Sequence, residues 1–151
     1  MTLTQIKNRY NGIQTMMKDF NLSSCNLLTL CTVIEEVSGK PADLIGIIQW
    51  GMNTKVKGNA ELNIIDSDWT VNDNIAVLSK WSGKKKWKRT EYTPDTLPKK
   101  IKDNQFTFEI WKKKPKDVDV HIKRRFVDTL INSQTVKTGF IFKYYVYEYL
   151  D

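Results

Sequence analysis

The chain has 151 residues, 40% of them apolar, which suffices for one hydrophobic core without disulfides or a structural metal and excludes a disordered tail. Its 24 Lys and Arg against 17 Asp and Glu leave a net charge of +7, which points to a polyanionic partner. No apolar run approaches the ~20 residues of a bilayer span. The opening Met1-Thr2-Leu3-Thr4-Gln5 lacks the basic-then-apolar order of a secretory signal, and two cysteines make no disulfide framework, so a reducing, cytoplasmic setting is expected.

In chain order, Leu3, Ile6, Tyr10, Ile13, Met16 and Phe20 recur at three- and four-residue steps and predict an amphipathic helix, although Gly12 within it costs about 1 kcal/mol relative to Ala. A more apolar helix follows from Cys25 to Val37 and stops at Ser38-Gly39. Pro41 suits the first turn of a third helix, through Leu44, Ile45, Ile47, Ile48 and Trp50 to Gly51. Strands are expected at Ala60–Ile65, Ile75–Trp81, Lys86–Tyr92, Gln105–Lys112 and Thr138–Tyr149, with Ser82-Gly83 as a hairpin tip. Val118, Ile122, Phe126 and Leu130 are spaced by four and predict one further helix near 117–132, although Val118, Val120 and Ile122 also alternate as a strand would. The fold class is therefore α+β. About three N-terminal helices pack on a mostly antiparallel sheet, in a single domain 1–151 that is helical over 1–52 and β-rich and basic over 53–151.

Of the basic residues, 20 are Lys and four are Arg, a bias that an A/T-rich gene gives any protein, so the distribution of charge carries more than its total. Residues 1–75 hold six basic and eight acidic side chains, whereas residues 80–125 hold 16 and six. If the strands form a meander, the turn at 82–85 and the exit at 112–116 emerge at one end of the sheet, and Lys99–Lys102 falls at the other. The expected interface is then Lys84, Lys85, Lys86, Lys88, Arg89, Lys112, Lys113, Lys114, Lys116, Lys123, Arg124 and Arg125 for phosphates, with Trp87 and Trp111 to stack bases. Because Lys outnumbers Arg, base-specific bidentate contacts are few and sequence selectivity is expected to be low.

The leading function is a non-enzymatic nucleic-acid-binding accessory protein. The alternative is an inhibitor or adaptor, of the kind phages and mobile elements encode, that docks its basic edge on an acidic protein. Enzymatic readings have less footing. His121 is the sole histidine and would have to serve any small basic nuclease. No Ser nucleophile elbow occurs, and Ile34 stands where a phosphate loop ending at Gly39-Lys40 needs its first Gly. The acidic stretch with Asp66, Asp68 and Asp73 has Val77 where a calcium loop needs its twelfth-position Glu, so no metal or cofactor is expected. A winged-helix reading fails on its third helix, which is apolar and has no Arg. Cys25 and Cys31 fall on different faces of one helix and are expected to stay reduced. The terminal segment Phe140–Leu150 is apolar on both faces, as a central strand is, and its Tyr145, Tyr147 and Tyr149 face offers a possible homo-oligomer contact.

Overall fold

A computed structural model describes residues 25–52, 71–118, 120–127 and 139–151. The expected helix over 3–20, the strand Ala60–Ile65 and residues 128–132 of the expected late helix lie outside the described residues. Within them the chain is α+β, with three helices and a four-stranded antiparallel sheet.

Helix α1 spans Cys25–Ser38 and buries Leu27, Leu30, Val33 and Ile34, a stripe spaced by three and four. It ends as expected, with the Gly39 N–H closing on the Glu35 carbonyl at 2.9 Å. Helix α2 spans Leu44–Met52. Its start differs from the expectation: Pro41 lies outside it, and Asp43 is the cap, its Oδ1 accepting from the Gly46 N–H at 3.0 Å. Helix α3 spans Val71–Trp81 and replaces the strand expected at Ile75–Trp81. There Asn74, Val77 and Leu78 are buried together, and Trp81 meets Trp50 of α2 edge-on with centroids 5.0 Å apart. Helical spacing, not the β-branched character of Ile75 and Val77, decided the segment. Ser82-Gly83 is consequently a helix C-terminus rather than a hairpin tip, with the Ser82 N–H on the Leu78 carbonyl and Gly83 in the left-handed region at φ 85°.

Strands β1 (Trp87–Tyr92), β2 (Gln105–Lys112) and β4 (Phe140–Tyr149) match their expected spans within two residues. Strand β3 (His121–Arg124) corrects the helix expected near 117–132 over its described part. The spacing of Val118, Ile122 and Phe126 by four misled, because Val118 and Phe126 are exposed and share no buried face. The sheet order is β1-β4-β2-β3, all neighbours antiparallel. Thus the strand latest in sequence lies between β1 and β2, which run in the same direction, and the expected meander does not form.

The register sorts the side chains. Trp87, Arg89, Tyr145, Tyr147, Tyr149, Phe106, Phe108, Ile110, Ile122 and Arg124 share one face. On that face Trp87, Phe106, Phe108, Ile110 and Tyr147 join Leu27, Leu30, Val33, Ile34, Ile47, Val77 and Leu78 in one core. Phe108 packs 4.8 Å from Tyr147, centroid to centroid. Fully buried aromatics of this size cost ~3–5 kcal/mol each when cut to Ala, so the layer contact is the main source of stability. One polar relay is enclosed. Asn26 on α1 and Asn74 on α3 exchange amide hydrogen bonds of 2.8 and 3.1 Å, and Asn74 Nδ2 donates to the Tyr147 hydroxyl at 2.7 Å.

The tyrosine face proposed for self-association is therefore the face that packs on the helices. Tyr147 is fully buried there, and β4 has a strand on each side, so it offers no free edge. Helix α3 also lies beyond residue 52, so helical structure extends into the part expected to be β-rich.

Candidate functional site

The expected basic residues fall at two ends of the sheet instead of one. Trp87 pairs with Tyr149 at what we call the proximal end, and Lys112 pairs with Phe140 at the distal end. Nine residue steps along β4 separate those pairs, about 30 Å at the usual strand rise. The screening length at physiological salt is about 8 Å, so the two clusters act as independent sources of charge. The single basic edge joining Lys84–Arg89 to Lys112–Lys116 is thus corrected. Lys102 also changes sides: the turn that returns its carbonyl to the Gln105 N–H places it at the proximal end, beside Asn104 and Tyr149.

Several of the expected contacts are used internally. Trp87 is only 7% exposed, donates its indole N–H to the Lys84 carbonyl at 3.1 Å, and packs between Phe106 and Tyr149. It is a core residue and presents no stacking face. Arg124 is buried, ion-paired with Glu36 of α1 and set over the Phe106 ring. It ties the helical layer to β3. Arg89 pairs with Glu91 at 2.9 Å and lies 4.0 Å from the Tyr145 centroid. Lys88 reaches Glu148 at 3.1 Å, and that carboxyl is held below its ordinary pKa: desolvation, the largest single influence, raises it but is outweighed by the combined hydrogen bonds from Lys88, Gln105 and Asn104 and the Lys88 charge. Lys123 is half-buried across from Glu109. Arg125 is half-buried and lies over the rings of Phe126 and Tyr144. His121 is buried opposite Trp111. Burial raises both thiols, Cys31 to about 12 with the help of Glu35, so neither is a ready nucleophile.

Lys85 and Lys86 stay exposed at the proximal end, and the other basic cluster that remains available is at the distal end. Strand β2 leaves the sheet at Lys112 and turns through exposed Lys113, Lys114 and Lys116, a turn held by the Lys114 N–H on the Asp117 carboxylate at 2.9 Å. Beside it, β4 begins with two aromatic rings that stay exposed, Phe140 at 38% and Phe142 at 42%. Lys112 Nζ stands 4.0 Å from the Phe142 centroid and Lys143 Nζ 5.4 Å from it. Trp111 is half-buried next to them, with its indole N–H on Glu109 at 3.3 Å.

Two backbone features make this end. A register shift between Ile110 and Trp111 leaves Phe142 opposite no residue of β2. Gly139, at φ 151°, lets β4 enter the sheet against the Lys112 carbonyl, where a Cβ would sit 2.6 Å from that oxygen. Sequence reasoning missed Phe140 and Phe142 because an almost unbroken apolar run reads as buried. The available signal was Gly139 ahead of it, which marks a close backbone approach.

Among the described residues no group of His, Cys, Asp and Glu is placed to hold a metal, and no helix is long and apolar enough to cross a membrane. No family model matches the chain, and no curated protein or solved structure matches it significantly.

Proposed function

We propose that the protein binds single-stranded nucleic acid, without catalysis, at the distal end of its sheet. The observation that carries this reading is the pairing of an exposed ring with ammonium groups: Phe142 beside Lys112 and Lys143, with exposed Phe140 two residues before it and exposed Lys113, Lys114 and Lys116 on the adjoining turn. An unpaired base stacks on an exposed aromatic ring with about 1–3 kcal/mol, and it does so whatever the base. The lysines neutralise neighbouring phosphates and release their counterions. Lys112 lies over one side of the Phe142 ring, so the cation also polarises the surface on which a base would stack. Lys presents a point charge rather than a planar fork, which favours backbone contact over base reading and low sequence selectivity. Trp87, Arg89 and Arg124 have no part in this site, since their side chains are committed to the core or to Glu91 and Glu36.

Fluorescence anisotropy of a labelled oligothymidylate over a salt series tests the proposal. Binding should weaken with a slope of about −0.7 in log affinity per log salt for each phosphate contacted. Phe142→Ala should weaken it by roughly 5- to 150-fold at all salt concentrations, the equivalent of one stacked base. Lys113→Ala with Lys114→Ala should flatten the slope. A slope near zero, or a Phe142→Ala protein that binds as the parent does, removes the proposal. A salt-insensitive interaction would instead favour docking on a protein.

A further inference from the structure

The proximal end holds a second arrangement, built from main chain. After α3, the turn Ser82–Lys86 aims two successive backbone N–H groups at one point outside the protein. Both are occupied by the carboxylate of Asp151: Lys85 N–H lies 2.9 Å from Oδ2 and 3.2 Å from Oδ1, and Lys86 N–H lies 3.0 Å from Oδ1. The turn is fixed from behind. Ser82 Oγ accepts from the Lys84 N–H at 3.1 Å, and the Lys84 carbonyl accepts from the Trp87 indole at 3.1 Å. The Leu150 N–H on the Lys86 carbonyl at 2.9 Å continues the β1–β4 ladder by one step and delivers Asp151 to the site. Lys85 and Lys86 are exposed on the turn, and Lys84 Nζ lies 4.9 Å from the Tyr149 ring centroid.

Successive backbone N–H groups in a turn, flanked by ammonium groups, form a concave anion site. A carboxylate spanning them has the same bite as two non-bridging oxygens of a phosphate. Its hydrogen bonds from Lys85 and Lys86, with Lys84 nearby, hold the Asp151 carboxyl below its ordinary pKa, so it is an anion in the site at neutral pH.

We propose that the Lys84–Lys86 turn is an oxyanion-binding site for a phosphate ester, which Asp151 fills from within the chain and from which an incoming phosphate displaces it. The tethered carboxylate acts as a competitor at high effective concentration and lowers the apparent affinity for phosphate. The site rests on its own geometry, about 30 Å from the distal rings, and stands whether or not those rings bind nucleic acid.

Amide chemical shifts of the full chain test it, with inorganic phosphate as the probe. In Asp151→Ala the Lys85 and Lys86 amide resonances should move in a saturable way on phosphate addition, with an apparent affinity on the order of tenfold above the parent's. Asp95→Ala removes one exposed negative charge from a loop elsewhere and should leave the parent's affinity unchanged. Equal gains in the two variants would reduce the effect to net charge and overturn the proposal. So would Lys85 and Lys86 amides that do not respond in Asp151→Ala, or that are lost and do not return with phosphate. A second arm uses an oligothymidylate without a terminal phosphate. A steeper salt slope in Asp151→Ala, by about 0.7, supports the site with a backbone diester as its ligand. An unchanged slope together with a phosphate response supports it with a free phosphate or monoester.

Discussion

Replacing Tyr147 by Phe deletes one oxygen from the centre of the core and leaves the ring in place against Phe108. That oxygen accepts the Asn74 amide at 2.7 Å. The other Asn74 amide hydrogen is already committed to Asn26 Oδ1 at 3.1 Å, and both asparagines are buried. The variant therefore strands one buried amide donor, at a cost of about 1–3 kcal/mol. With a urea dependence of ~1–3 kcal/mol per molar, the unfolding midpoint should fall by about 1 M at unchanged slope. Asn74→Leu in the Tyr147→Phe background should cost less than in the parent, because donor and acceptor are then removed together. The same hydroxyl predicts a pH dependence. Burial raises the Tyr147 phenol above its ordinary value, against the opposing pull of Asn74 and Arg89. The folded state holds this proton more tightly than the unfolded state. Its contribution is therefore complete below the unfolded value of about 10 and is lost as pH rises from there through the raised value. The parent should show that alkaline loss and Tyr147→Phe should lack its share. A midpoint shift below ~0.2 M, or identical alkaline curves, would refute the relay as a stabilising element.

Glu36→Gln should destabilise by roughly 1–2 kcal/mol, discounted for the exposure of Glu36, because it leaves the buried Arg124 guanidinium without a counter-charge; Arg124→Met, which removes the charge itself, should cost less, as urea titration of both will reveal. Neither substitution should alter oligonucleotide affinity at any salt concentration, since Arg124 faces α1. Gly139→Ala should push the start of β4 away from the Lys112 carbonyl. It should lower stability by about 1–3 kcal/mol and also weaken oligonucleotide binding, whereas an unchanged affinity would separate Phe142 from the site.

How far the fold was legible depended on whether its determinants were local. Helix α1 and strand β2 declare themselves, since Leu27, Leu30, Val33 and Ile34 keep helical spacing and Phe106, Phe108 and Ile110 alternate. At α3 the two patterns compete within eleven residues. The buried partner that resolves them, the Asn26 amide on Asn74, lies 48 residues away. Strand order is further from local information still: nothing in Lys86–Tyr92 or Gln105–Lys112 announces that β4 enters between them. The site followed the topology. The sequence marks lysines 112–116 as exposed and basic, with Trp111 beside them, but groups them with Lys84–Arg89, from which the topology separates them. The unbroken apolar run through Phe140 and Phe142 reads as core although both rings are exposed.

The insertion of β4 between β1 and β2 also makes the sheet depend on contacts distant in sequence. The described part of the sheet gives β1 no other strand neighbour, and its pairs with β4 join residues 52 to 62 apart in sequence. The β2–β3 pairs join residues only 10 to 16 apart and have less loop entropy to overcome. Without residues 140–149, β1 and β2 would each present an unpaired ladder edge of the kind open to pairing with another chain, and one strand, β4, closes both.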